Sequence, residues 1–217
     1  MELAKQKNYQ QAFDLASVSI AERNLEERAE KAGAGYRKNQ GGEEIFLSFF
    51  SEPYVIRFPK IEFYAPTQKT VSLVTRVLLL HYLLRADGNP VSGKWVSYKD
   101  VPGGLLYAAV FSRRVTEPLA RRFGRSASRL QEVGIGLGGE SAGVGDASFT
   151  LGVFPRISLQ LVLWEGDEEF PPSVQLLFDA SIDHYLSLED IVVLGQMTAG
   201  RLIQRSTARD GRSVTGL

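Results

Sequence analysis

Apolar residues alternate with polar ones along three late stretches: Phe149, Leu151 and Val153; Ile157, Leu159, Leu161 and Leu163; Val174, Leu176 and Phe178. A period of two puts each set on one face of a strand. The last two stretches are joined by a short acidic loop, Glu165 to Pro172, too short for the crossover that parallel neighbours need. They read as an antiparallel hairpin. A second β group comes earlier. Ile45, Leu47 and Phe49 alternate with Phe46, Ser48 and Phe50, Pro53 interrupts, and Tyr54, Ile56 and Phe58 resume. Ile61 to Tyr64 adds a further strand. Both faces of the first run are apolar, which predicts cover on both sides.

Helices surround these groups. Ala12, Phe13, Ala16 and Ile20 fall at helical spacing within Tyr9 to Ala32. Asn24 with Glu27 forms a capping box that restarts the helix at Leu25, and Gly33 and Gly35 end it. Lys38 to Gly42 is a polar turn. Thr67 or Thr70 opens a central helix that runs to about Ala86, apolar nearly all round and so the most buried. Gly88 and Asn89-Pro90 stop it. Trp95 to Tyr98 is a short strand and Pro102-Gly103-Gly104 a turn, while Leu105 to Phe111 fits either helix or strand. Two short helices follow, one capped by Thr116 with Pro118 in its first turn, the other opened by Ser126 or Ser128 and failing by Gly134. Ser187 with Asp190 caps a last helix bearing Ile191, Leu194, Met197 and Leu202. The two strand groups lack βαβ alternation. The fold class is therefore α+β, a mainly antiparallel sheet packed against a buried central helix and N- and C-terminal helices. Residues 1–204 are expected to form a single domain and 205–217 a flexible tail.

Composition removes several function classes. With 25 basic and 25 acidic residues the net charge is +0, without the basic excess that phosphate neutralisation favours, so no nucleic-acid partner is expected. Basic density is local, at Arg113, Arg114, Arg121, Arg122, Arg125 and Arg129. There is no cysteine, which excludes disulfides, thiolate nucleophiles and an iron–sulfur cluster held by this chain. The start MELAKQKNYQQAF lacks a signal peptide's apolar run, and Val77 to Leu84 is too short to span a bilayer. A cytoplasmic protein without membrane association is the expectation.

Candidate chemistry is sparse. Gly134-Ile135-Gly136-Leu137-Gly138-Gly139 matches GxGxxG but follows a helix and opens none, so it reads as a loop. No nucleophile elbow is present, and no catalytic residue is assigned. Two histidines remain. His81 lies in the apolar helix and reads as a satisfied core residue. His184, in Asp179-Ala180-Ser181-Ile182-Asp183-His184-Tyr185, is the best candidate metal ligand, with Asp183 or Asp179 to orient its ring. The same residues could instead just cap the last helix. The loop Trp164-Glu165-Gly166-Asp167-Glu168-Glu169-Phe170-Pro171-Pro172 places four carboxylates in five positions, stiffened by prolines. It suits recognition, cation binding or plain solvation. Trp164, Trp95 and their aromatic neighbours could line a pocket for a flat ligand. The candidate binding set is therefore Trp164, Glu165, Asp167, Glu168, Asp179, Asp183, His184 and Trp95.

Several strings together carry a resemblance: Leu79-Leu80-His81-Tyr82-Leu83-Leu84 with Ala86-Asp87-Gly88, Glu117-Pro118-Leu119-Ala120 with Arg122-Phe123-Gly124, Gly145-Asp146-Ala147-Ser148-Phe149, and the run from Leu163 to Ser173 followed by Leu177-Phe178-Asp179-Ala180-Ser181. From about Tyr9 to Leu202 the chain resembles a domain-of-unknown-function family of anaerobic bacteria and archaea. Some of its members carry an added iron–sulfur module like that of corrinoid iron–sulfur proteins. The resemblance implies a link to tetrapyrrole, corrinoid or redox-linked metabolism. This chain, lacking cysteine, departs from the module-bearing members, so that link attaches to relatives or partners.

Three readings follow. The favoured one is an accessory protein that binds a small molecule or a tetrapyrrole-like cofactor with His184 as axial ligand. The second is a carboxylate- or metal-dependent enzyme, which needs Asp167, Glu168 and Asp183 or Asp179 in one cleft. The third is a scaffold that docks a partner protein, which needs a contiguous exposed apolar patch.

Overall fold

The N-cap at Asn24 forms as the sequence requires, while the Glu27 carboxylate pairs with Lys31. In the computed structural model, which describes residues 2–65, 67 and 70–213, Asn24 Oδ1 accepts the Glu27 N–H at 3.0 Å. It divides α1 (Glu2–Ala21) from α2 (Leu25–Ala32). Gly33 at φ 66° then ends α2, and Ala34 N–H reaches back to Ala29 O at 2.8 Å. By packing, the chain divides into two compact units. The first comprises Met1–Val91, Val153–Ile157 and Ser181–Asp190; the second comprises Ser92–Gly152, Ser158–Ala180 and Ile191–Leu217.

In the first unit β1 (Gly35–Asn39), β2 (Gly42–Phe49), β3 (Glu52–Phe58) and β4 (Glu62–Tyr64) form an antiparallel sheet in that order. The polar turn expected at Lys38 to Gly42 is narrower: β1 and β2 pair through Asn39↔Gly42, leaving Gln40-Gly41 as the tip. Ile45, Leu47 and Phe49 are buried opposite Ile56 and Tyr54. The other face of β2 is not covered by a second layer as expected. Arg37 lies over the Phe46 ring, 4.9 Å from its centroid, and Glu44 sits between Arg37 and Arg57. Long arginine stems shield that face while their charges stay wet.

α3 (Leu73–Arg85) begins later than Thr67 or Thr70. Ser72 is its N-cap and accepts the Thr75 N–H at 3.2 Å. Its buried residues, Val77 to Leu80 with Tyr82 and Leu83, occupy most of its circumference, as the apolar pattern requires. Tyr82 stacks on Phe154 at 4.1 Å, and its hydroxyl donates to Ala32 O at 2.6 Å.

In the second unit the sheet order is β5-β9-β8-β7-β6, built from β5 (Trp95–Ser97), β6 (Glu140–Ser141), β7 (Ala147–Phe154), β8 (Ile157–Trp164) and β9 (Ser173–Asp179). β8 and β9 pair antiparallel from Trp164↔Ser173 to Leu159↔Phe178. After the 3₁₀ turn Gly104–Tyr107, α4 (Ala108–Phe111) and α5 (Glu117–Phe123) are not separate helices with a cap at Thr116. Thr116 keeps helical angles (−77°, −38°), and a π-type turn, Ser112–Thr116, joins them. Pro118 has no N–H for the carbonyl four residues back, and the ladder loosens instead of stopping. α6 (Ala127–Gly136) runs two residues past Gly134. α7 (Leu188–Ser213) starts on Ser187, whose Oγ accepts the Asp190 N–H at 3.2 Å. It continues past Gln204, so residues 205 to 213 are helical, while 214–217 lie outside the described residues. Among the described residues no helix is long and apolar enough to cross a membrane.

Candidate functional site

In the first unit, four polar ties join the C-terminal end of α3 to the segment 181–190. His81 and Arg85 lie one turn apart on one face of α3. His81 Nδ1 meets Asp190 Oδ1 at 2.8 Å, and Arg85 Nε donates to Asp183 O at 2.8 Å. Past the helix, His184 Nδ1 meets Asp87 Oδ2 at 2.6 Å, and the Tyr185 hydroxyl donates to Asn89 O. Gly88 (φ 87°) turns the chain, and Asp87 Oδ1 takes the Asn89 N–H at 2.9 Å. His184 ends a 3₁₀ turn, Ile182–His184, closed by its own N–H to Ser181 O at 3.0 Å.

The His184 bond to Asp87, then the Asn89 N–H, hold the Asp87 carboxyl below the usual carboxylate range. An ionised carboxylate only accepts, so Nδ1 donates to it and Nε2 is the ring nitrogen left for another partner. The two side chains are 41% and 51% exposed, so the pair lies at the surface. The orienting carboxylate is thus Asp87, not Asp183 or Asp179. Asp183 takes part through its backbone carbonyl.

His81 is the satisfied residue expected of it. Its pKa is raised above 6.5, chiefly by the hydrogen bond to Asp190 and against the opposing effect of burial. Asp190 also accepts the Ser187 hydroxyl at 2.6 Å. The folded ring therefore holds its proton more tightly than the unfolded one. Its stabilisation is complete below the unfolded pKa and is lost as the pH rises through the folded value. The urea midpoint of the wild type, measured against His81→Gln, should fall as the pH rises from below the ordinary imidazole value through the raised one. A constant difference would show that the pair does not titrate with folding.

The acidic loop belongs to the second unit and is tied down locally. Glu165 Oε1 accepts the Ala127 N–H at the start of α6, and Glu165 N–H donates to Asp146 Oδ2 at 2.7 Å. Asp167 Oδ1 accepts the N–H groups of Phe170 (2.7 Å) and Glu169 (2.8 Å), in that order the causes that lower its pKa. Pro172 lies against Gly124 and Gly166, where an added Cβ would meet it at 2.4 and 2.6 Å. Glu168, Glu169 and Phe170 remain exposed.

Asp179 is buried and accepts the N–H groups of Ser92 (2.9 Å) and Gly93 (2.7 Å). Trp95 pairs with it across β5 and β9. The loop enters β9 at Ser173 and Asp179 ends that strand, a rise of about 20 Å. Asp167 and Glu168 therefore do not share a cleft with Asp179, and Trp164 and Trp95 stand at opposite ends of the same strand. Among the described residues no group of three or more His, Asp or Glu side chains is placed to hold a metal ion.

Sequence reasoning missed Asp87 and Asp190 as the two imidazole partners. The available signal was Asp87 itself, placed in the sharp Gly88-Asn89-Pro90 stop directly after the helix that carries His81. No curated protein and no solved structure matches the chain. A family model described as "Domain of unknown function (DUF3786)" matches residues 24–201, which takes in both histidines, both of their carboxylate partners and the acidic loop, and the chain belongs to that family.

Proposed function

We propose that the chain is an accessory protein that binds a metal-bearing cofactor of the tetrapyrrole or corrinoid class, with His184 as its ligand. The observation that carries this reading is the 2.6 Å bond between His184 Nδ1 and Asp87 Oδ2 on an accessible ring. Metal-ligating histidines almost always donate their second ring N–H to a carboxylate or carbonyl, which fixes the tautomer and raises the basicity of the ligating nitrogen. Among the described residues the donor set is the His184 imidazole, with no group of three or more ligand side chains around it. That suits a metal arriving with its equatorial ligands already in place, not a bare cation. When bound, such a group would supply its own redox or group-carrying chemistry. This chain would hold it by Nε2, with Asp87 fixing the plane of the ring.

Titration of the purified chain with haemin or hydroxocobalamin should shift the visible spectrum at tens of micromolar, roughly 6 kcal/mol of binding. His184→Ala should abolish the shift, and Asp87→Asn should weaken binding by about 10- to 100-fold. Unchanged spectra for both probes would overturn the reading.

A second reading, docking of a partner protein, is favoured by one observation. Leu105, Leu106 and Tyr107 are consecutive and 71%, 85% and 54% exposed. Arg113 and Arg114 are exposed on the helix that follows. An apolar knob with a basic flank suits an apolar groove with an acidic rim.

A further inference from the structure

One helical rod in the second unit carries opposite chemistry at its two ends. α4, the π-type turn and α5 run without a break from Ala108 to Phe123. Phe111, Val115, Leu119 and Phe123 are buried, while Arg113, Arg114 and Glu117 are exposed on the outward side. The apolar knob of Leu105, Leu106 and Tyr107 stands at the start of the rod, beside Arg113 and Arg114. The acidic loop is fastened at its end. There Gly166 N–H donates to Gly124 O at 2.9 Å, and Pro172 lies against Gly124. The tip of that loop holds Phe170 66% exposed, next to the exposed Glu168 and Glu169.

Both ends are shaped in advance. The Gly104 N–H closes the turn under the knob on Val101 O at 2.7 Å. The tip is closed by Asp167 N–H on Phe170 O at 3.0 Å, and by the Asp167 carboxylate on two further N–H groups. Little ordering entropy is left to lose on contact.

We propose that the knob of one copy of this chain docks on the acidic, aromatic tip of a second copy, so that two copies pair with their rods antiparallel. This pairing rests on the docking reading and names its occupant. Leucine and tyrosine side chains meet Phe170, and the guanidiniums of Arg113 and Arg114 meet the carboxylates of Glu168 and Glu169, opposite charges on a desolvated apolar contact. Unlike patches close into a two-fold pair when each copy can give both at once, and otherwise form rings or open chains. The rod suits the pair. Tyr107 and Gly124, which bound it, lie equally far from a centre between Val115 and Thr116, roughly 13 Å each way. Rotation about that centre sets each knob over the loop anchor of the other copy. The same rotation sets Arg114 of each copy opposite Glu117 of the other, so the middle of the contact also joins unlike charges.

The test is sedimentation equilibrium of the purified full chain over a wide concentration range. The mass should rise from 24.0 kDa to twice that value and stop there. Added salt should raise the dissociation constant, because it screens the charged pairs. Leu106→Asp and Phe170→Asp alter exposed side chains, so each should keep the wild-type urea midpoint yet abolish pairing. Mixed together, the two variants should pair again, more weakly, because a mixed dimer retains one native knob on one native tip. A wild type that stays monomeric, a Phe170→Asp chain that pairs like the wild type, a mixture that fails to pair, or a mass that climbs past two copies would overturn the proposal. A monomeric chain that still co-elutes with its native complex through Leu106 would strike the self-pairing and leave the docking reading with another protein as occupant. A monomeric chain that floats with phosphatidylglycerol vesicles would give the knob to a lipid surface and strike both.

Discussion

Asp179→Ala is expected to lower the unfolding free energy by about 3 kcal/mol or more, read as a drop in urea midpoint at unchanged slope. Asp179 is 3% exposed, and its two oxygens accept the Ser92 N–H at 2.9 Å and the Gly93 N–H at 2.7 Å. Two successive N–H groups aimed at one carboxylate make a small anion nest, closed by a glycine at φ 71°. Hydrogen bonds to a charged group contribute roughly 1.5–3 kcal/mol each, and alanine leaves both donors without a protein partner. Asp179→Asn should be nearly as costly, because one of its side-chain atoms becomes an NH₂ facing an N–H. The loss should spread to β5, which Ala180 N–H also holds through Lys94 O at 2.8 Å, and so to the fluorescence of Trp95. A change below about 1 kcal/mol would mean that water replaces the carboxylate without loss.

The same residue shows how far the sequence could be read. Asp179 was visible as an acidic residue ending a strand beside a histidine, and a ligand role was a fair expectation. Its use as a backbone clamp depends on partners 86 and 87 positions earlier, which no local pattern encodes. His184 is legible because histidine is scarce, but its carboxylate lies 97 positions away, beyond any local pattern. Glu165 likewise reaches a helix start 38 positions back. Elements with a strong period were legible: β8 and β9 throughout, and α3 except for its start, which lies at Ser72 and not at Thr67 or Thr70. β1 was not, because Tyr36-Arg37-Lys38-Asn39 has no apolar alternation and pairs through its backbone at a sheet edge. The π-type turn was hidden for another reason. Thr116 before Pro118 has the signature of a helix start, and only the continuing fold decides between a new helix and a loosened old one.

Gly104→Ala and Leu106→Asp should act in opposite ways on one short turn. A Cβ at Gly104 would stand 1.9 Å from the Tyr98 carbonyl oxygen, a contact with backbone that no rotamer change relieves. Tyr98 cannot easily retreat, because it is buried and stacks on Phe111 at 4.5 Å, which in turn packs edge-on against Phe178 at 5.9 Å. Gly104→Ala should therefore cost about 3 kcal/mol, at the upper end of what overpacking does. Gly103→Ala, next door at φ 79°, should cost only about 1–2 kcal/mol for the left-handed backbone. Leu106 is 85% exposed, so Leu106→Asp should leave stability within about 0.5 kcal/mol of the wild type. If the knob docks a partner protein, that substitution should still end co-elution of the chain with its native complex, because it buries a charge in an apolar groove. The rigid glycine turn would then exist to hold three apolar side chains in water at a fixed angle, an arrangement that costs solubility and needs a partner to offset it. Retained co-elution in Leu106→Asp would remove the docking reading and leave the turn as packing for Tyr98.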